Sequence, residues 1–451
     1  MSPAIPAIPS QRPSLASRVF AAGSWTLLGN IAGQILRFGS NLWLTRLLFP
    51  EAFGLMAIAQ SILAAVNLLS DVGLSQSVVR SHRGDEARFL DTIWTLQVAK
   101  GAGMLLVMLV ASPMVARAYH QTALVALVPA MGVAAMVSGF ASTKVALVNR
   151  QIQAARLTLM ELGCQCVGIV TMLAWALVRP TPWALVAGNL ANALAMTLAS
   201  HLLLAGHGNR FAWDRGVVQE VWHFGGWVMV SSAVTFLSGE GRNLLNAALV
   251  TPKVVGLLVL STTLALVVWN AIQQVSGRVL FPAYAEVCRE RPHDLPAVVE
   301  RSRRLQLLGG CAVAMLFAFL GDQLVAWFYD PRYRAAGAFL QIQATGTFFS
   351  FLGASYTGVL WAMGRPALST FLLTIQVAVI ATLTITGATL AGPIGLVTGA
   401  SMTGLVMYPI NSLLYRRLGL FQPKTDAIPI VLGVLLAAYV FAFGSWRALV
   451  I

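Results

Sequence analysis

Apolar runs long enough to cross a bilayer recur from one end of this chain to the other, and that leaves very few folds open. A hydrocarbon core about 30 Å thick takes about 20 residues of α-helix or about 9–11 of a tilted strand. Inside it every backbone amide must find its partner within the protein, so only helices and closed barrels span it. The runs here are of helical length, which predicts an all-α polytopic membrane protein. Composition agrees: hydrophobic residues make up 57% of the 451 and charged residues 10%, whereas a soluble domain carries about 25% charge.

The runs predict spans at 20–48, 52–79, 92–116, 123–147, 158–178, 183–205, 223–249, 254–279, 305–328, 336–361, 367–391, 394–415 and 427–446. The net charge of +14 could point to nucleic acid, but its distribution points to topology. Roughly nineteen of the 30 Lys and Arg fall in alternate connections, such as Arg80–Arg88, Arg289–Arg304 and Arg416–Lys424. Short, weakly charged turns such as Phe49–Glu51 and Gly392–Pro393 lie between them. By the positive-inside rule the amino terminus is cytoplasmic. The expected organisation is a disordered cytoplasmic tail over 1–17, one lobe of six helices over 18–210 and a second over 211–418. An extra carboxyl-terminal helix occupies 419–451. No loop is long enough to fold alone, and no Gly-rich lysine motif for ATP occurs. The six histidines are scattered without carboxylates at ligand spacing, and Cys164, Cys166, Cys288 and Cys311 form no metal or disulfide framework. An enzyme is not expected, nor a cofactor, nor a metal.

The two halves echo each other. Trp25 and Trp227, Pro50 and Pro252, and Gly54 and Gly256 share an offset of 202 residues. A second echo, slightly shifted, sets Gly139-Phe-Ala-Ser-Thr-Lys144 against Gly353-Ala-Ser-Tyr-Thr-Gly358. Six spans separate the copies, so both enter from the same side. That predicts parallel, pseudo-symmetric lobes related by an axis along the membrane normal.

Four basic residues, Arg37, Lys100, Lys144 and Arg242, fall inside apolar spans. Each would cost about 2.5–3.5 kcal/mol at a lipid-facing helix centre, so a polar cavity is the expected environment and an anion its natural occupant. Asn30, Gln34, Arg37 and Asn41 follow helical spacing and make one polar stripe on the first span. Lys144 lies nearer the cytoplasmic end, where it could instead snorkel or pair with Glu161. Gly239-Glu-Gly-Arg242 places a carboxylate between two glycines that loosen the helix, or else forms a local Glu–Arg pair. Glu240, Glu161 and Asp71 are the candidates for ion coupling. The second half carries amides, among them Asn270, Gln273, Gln343, Gln376 and Asn411, with Trp269, Tyr356 and Trp361 nearby. Amides beside aromatic rings suit a sugar surface and suit interhelical packing equally well.

The run Ala146-Leu-Val-Asn-Arg-Gln-Ile-Gln-Ala-Ala-Arg-Leu-Thr-Leu-Met-Glu-Leu162 resembles the link between the fourth and fifth spans of polysaccharide exporters. Leu44-Thr-Arg-Leu-Leu-Phe-Pro-Glu-Ala-Phe-Gly-Leu55 and Ser70-Asp-Val-Gly-Leu74 are similar to that family's first hairpin and the end of its second span. The family shares a superfamily with MATE efflux pumps and lipid II flippases. The resemblance implies a Wzx-type flippase of the bacterial inner membrane. It would move undecaprenyl-diphosphate-linked oligosaccharide outward for exopolysaccharide, O-antigen or capsule synthesis, by alternating access coupled to protons or sodium. In that role Arg37, Lys100, Lys144 and Arg242, with Gln34, Asn41, Asn270 and Gln273, would hold the diphosphate and glycan. Partners would be the lipid-linked oligosaccharide, the bilayer and the polymerase or export machinery. A lipid II flippase and a MATE-like cation antiporter are the alternatives with the same architecture.

Overall fold

The structure, a computed structural model, describes residues 15–446 apart from 71–72, 75–76, 79–80, 82, 151–153, 222–235, 238, 276–279 and 355. At some helical positions, Asn270 and Gln273 among them, only the backbone is described. Asp71 lies outside the described residues.

Helices dominate, as the bilayer-length runs require. In the first half they are α1 (Leu15–Leu47), α2 (Pro50–Leu69), α3 (Ala87–Ala118), α4 (Leu124–Gly139), α5 (Lys144–Arg150), α6 (Ala154–Val178) and α7 (Trp183–Leu202). In the second they are α8 (Glu240–Leu249), α9 (Pro252–Val275), α10 (Phe281–Glu290), α11 (Leu295–Phe328), α12 (Ala335–Ala354), α13 (Thr357–Ala362), α14 (Pro366–Arg417) and α15 (Pro423–Phe443). Seven described helices are long and apolar enough to cross a membrane.

Two expected boundaries are informative. α14 runs through 52 residues, but Ala391 and Gly392 leave helical geometry, and Gly392 takes φ of 56°. Glycine tolerates that left-handed angle and Pro393 cannot continue the ladder of the preceding helix, so the turn falls where Gly392–Pro393 predicts it. The expected single span over 123–147 is instead two helices, because the chain leaves helical geometry between Gly139 and Lys144. The break is bonded: Ser142 N–H donates to Ser200 Oγ at 2.8 Å, and Ser142 Oγ donates to Asn209 Oδ1 at 2.5 Å.

Packing groups the helices by half. α4 contacts α2, α3 and α7 while α6 contacts α1 and α7; in the second half α12 contacts α9, α11, α14 and α15. The main bridge between the groups is α2 against α8 and α9. Here the echoed residues meet reciprocally. A Cβ on Gly54 would lie 1.8 Å from the Pro252 carbonyl oxygen, and one on Gly256 would lie 1.9 Å from that of Pro50. Only glycine lets the two backbones approach so closely. Around this crossing Tyr333 donates its hydroxyl to the Leu48 carbonyl at 2.9 Å, and Tyr119 donates to that of Leu244 at 3.3 Å. Arg332 Nη2 donates to the Arg46 carbonyl at 2.8 Å and its guanidinium lies 4.6 Å above the Phe49 ring. The halves are therefore pinned together at the end that carries Pro50 and Pro252.

Candidate functional site

Below that crossing lies a cavity of about 730 Å3. Its wall starts with the stripe on α1: Asn30, Gln34, Arg37 and Asn41 all face it. α6 adds Thr158, Glu161 and Gln165, again at helical spacing, α7 adds Asn189 and Asn192, and α2 adds Gln60. Leu44, Phe53, Met56 and Val259 line it near the crossing, while Asn30 at the other end of the stripe is exposed. Gln165 Nε2 donates to the Gly33 carbonyl at 2.9 Å, tying α6 to α1 across the wall. The guanidinium of Arg37 is not joined to a carboxylate among the described residues and stays accessible within the cavity. Among the described residues the charged lining is thus one guanidinium and one carboxylate, Arg37 and Glu161, set among neutral amides. An arginine offers a planar fork of donors that matches phosphate oxygens, and the amides offer donors and acceptors for a polar, hydroxylated cargo.

The other three cations do not share this space. Lys144 is 8% exposed, and its ammonium donates to the carbonyls of His201 at 3.1 Å and Leu204 at 3.0 Å. Those carbonyls belong to the end of α7, so the lysine caps a helix C-terminus, where cation and dipole attract. It therefore neither points into the cavity nor pairs with Glu161. The cause is the break before α5, which turns the lysine toward α7. Lys100 is half-buried on α3, away from the cavity lining. Arg242, in the first turn of α8, is likewise not part of that lining.

Glu240 interacts electrostatically with Arg242, without an ion pair within 4 Å among the described residues. Its Oε2 accepts from Ser61 Oγ at 2.6 Å and from Asn243 Nδ2 at 3.1 Å. Ser61 belongs to α2, so this carboxylate bonds the two halves to each other. The side chains of Asn270 and Gln273, and all of Asp71, lie outside the described residues.

Sequence reasoning missed Gln60, Gln165, Asn189 and Asn192 in the cavity. The spacing of Thr158, Glu161 and Gln165 carried the same helical signal as the stripe on α1. It also missed a buried ion pair. Arg303 and Asp426 are both 0% exposed and lie 2.8 Å apart. The guanidinium sits 3.6 Å over the Tyr356 ring, and Tyr408 donates to Asp426 Oδ2 at 3.2 Å. Arg303 read as one of many loop cations; only the fold of α15 against α11 buries it.

Comparison with known proteins fits this architecture. Residues 43–338, more than half of the chain, match the family model described as polysaccharide biosynthesis protein. The chain belongs to that family. A curated relative is the lipopolysaccharide biosynthesis protein WzxC of Escherichia coli (strain K12), 22% identical over 280 residues, which cover 61% of this chain and 56% of the relative. The chain thus matches little more than half the length of that protein. Among solved structures, an inward closed lipid II flippase MurJ superposes with a TM-score of 0.68 at 11% identity, covering 94% of this chain and all of the other. An inward-facing multidrug resistance MATE transporter of the MOP superfamily gives 0.66 at 13% identity, covering 88% and 95%. At such identities the likeness is one of fold.

Proposed function

We propose that the chain is a flippase for a polyprenyl-diphosphate-linked oligosaccharide, a transporter of polysaccharide biosynthesis and not an enzyme. The observation that carries this reading is Arg37, an accessible guanidinium in an amide-walled cavity of about 730 Å3 inside a membrane-spanning bundle. A diphosphate cannot cross hydrocarbon bare. A guanidinium with neutral donors around it replaces part of its hydration, with charge-assisted bonds about twice as strong as neutral ones. The lipid would stay in the bilayer while the head group passes through the cavity. The name of the curated relative and membership of the polysaccharide family support the same cargo class.

In this reading the six-helix lobes are 18–210 and 211–418, with 419–451 an added helix, and the protein sits in the inner membrane with its amino terminus in the cytoplasm. The crossing of Pro50–Gly54 with Pro252–Gly256 closes the outer end, and alternating access opens it. Glu161 is the carboxylate placed to couple a proton or sodium ion to Arg37 occupancy. Lys100, Lys144 and Arg242 shape the lobes around the path. Polymerase or export components would receive the product at the outer face.

Binding of fluorescent undecaprenyl diphosphate to the purified protein tests this. Arg37→Ala should weaken it about tenfold to a hundredfold, the value of a hydrogen bond to a charged group, and Arg37→Lys should restore part. Equal affinity in all three proteins would remove Arg37 from the path. Binding of lipid II alone would favour the lipid II reading, and binding of organic cations alone would favour the antiporter.

A further inference from the structure

The last described helix, α15, packs against α11 and α12, and one side of its seam with α11 stays uncovered. At one end of that side lie three exposed cations, Arg301 and Arg304 on α11 and Lys424 on α15. Leu308 continues the line of Arg301 and Arg304 along α11, and Ile428 and Leu432 continue that of Lys424 along α15, each at helical spacing and each exposed. Contacts at both ends show that the two lines run side by side. At the charged end Glu300 Oε1 accepts from Arg304 Nη2 and, at 3.5 Å, from Thr425 Oγ1. At the other end the rings of Phe319 and Tyr439 meet with centroids 4.8 Å apart. The stretch from Arg304 to Phe319 rises about 22 Å, more than the ~15 Å that one leaflet gives to the hydrocarbon core.

The charged end is held in register from behind. The fully buried Arg303–Asp426 pair and the Gln422 Nε2 donation to the Pro296 carbonyl at 2.8 Å fix the start of α15 on α11. Topology alone asks only that a connection be basic. It does not ask that cations from two helices gather at the mouth of an apolar groove of leaflet length. We propose that this groove binds an anionic phospholipid of the surrounding bilayer, phosphatidylglycerol in class. Its phosphate sits among Arg301, Arg304 and Lys424, and an acyl chain runs past Leu308, Ile428 and Leu432 to the Phe319–Tyr439 rings. Three cations against the one carboxylate of Glu300 leave the mouth positive, the complement of a phosphate head group without its own cation. A lipid so placed bridges α11 and α15 and staples the last helix to its neighbour. None of these residues lines the Arg37 cavity, so the occupant is bilayer lipid and the site is independent of the cargo.

The test titrates the full chain, purified in detergent, with fluorescent phosphatidylglycerol and with phosphatidylcholine of the same chains. Phosphatidylglycerol should bind about thirtyfold tighter, the joint effect of two cations facing one phosphate. Arg301→Gln with Lys424→Gln should erase that preference and leave the lipid-free melting temperature unchanged, since both side chains are exposed. Arg289→Gln with Arg365→Gln, equally exposed at the same end but on α10 and before α14, should keep it. Leu308→Ser with Leu432→Ser should weaken both lipids and keep the preference. Arg37→Ala should change nothing. No preference in the wild type, or a preference lost as much in the Arg289 and Arg365 variant, overturns the site in favour of a diffuse basic surface. Displacement of the probe by glycerol 3-phosphate would reassign the mouth to a soluble phosphate, and displacement by undecaprenyl diphosphate at equal or lower concentration would reassign the groove to the cargo; either overturns the proposal.

Discussion

Arg37 and Lys144 look alike in the sequence, each a cation within an apolar run, yet they do different things. Arg37 faces open cavity, whereas Lys144 spends its ammonium on two carbonyls at the end of α7. Lys144→Met should therefore lower stability by about 1–3 kcal/mol, the cost of leaving buried carbonyls unmet. Probe binding by the folded fraction should be unchanged; parallel melting and binding curves check both. Arg303 and Asp426 make a stronger claim. Removing one member of a fully buried pair leaves the other charge uncompensated, so Asp426→Ala should cost about 3–5 kcal/mol. The double change Arg303→Met with Asp426→Leu should recover much of that loss, as read by denaturation midpoints. Sequence alone could not separate these residues, because burial of a loop cation depends on a helix more than a hundred positions away.

At the scale of elements, spacing was the most legible property. The stripe of Asn30, Gln34, Arg37 and Asn41 follows from helical period alone, and the structure turns all four toward one cavity. The turn at Gly392–Pro393 was legible for a comparable reason, since those two residues punctuate a helix by their own backbone limits. The break between α4 and α5 was not, because Phe140–Thr143 holds neither Gly nor Pro. Its geometry comes from Ser200 and Asn209, which arrive from distant sequence. The crossing of α2 and α9 gives a sharp prediction. Gly54→Ala puts a methyl 1.8 Å from the Pro252 carbonyl oxygen, so the helices must part. Overpacking of this kind costs about 1–3 kcal/mol. A cysteine at Leu44, in a background without the native cysteines, should react faster with an outside thiol reagent when Gly54→Ala is present. Unchanged labelling would show that the crossing does not close that end.

The molecule as a whole is two groups of helices joined at a repeated motif. The offset shared by Pro50 and Pro252, and by Gly54 and Gly256, was visible beforehand as an echo, but its consequence needed the fold: each copy is the other's contact. A second parallel emerges only in three dimensions. Asp91 on α3 is 8% exposed, lies 3.1 Å from His207 Nε2 and accepts from Arg210 N–H at 3.0 Å, holding the segment after α7. Arg303 on α11 holds α15 through Asp426. In the first half Asp91 thus holds the segment after α7 to α3, and in the second the buried Arg303–Asp426 pair holds α15 to α11. The crossing joins the two groups of helices, and among the described residues Arg37 is the one guanidinium lining the cavity beside it, the geometry on which the proposed passage of an anionic head group rests. The most direct test is transbilayer movement of a fluorescent undecaprenyl-diphosphate oligosaccharide in proteoliposomes, under imposed proton and sodium gradients, for wild type, Arg37→Ala and Glu161→Gln. The account predicts gradient-dependent flipping by wild type, background rates for Arg37→Ala, and loss of the gradient dependence for Glu161→Gln. Wild-type flipping that Arg37→Ala leaves intact would contradict it.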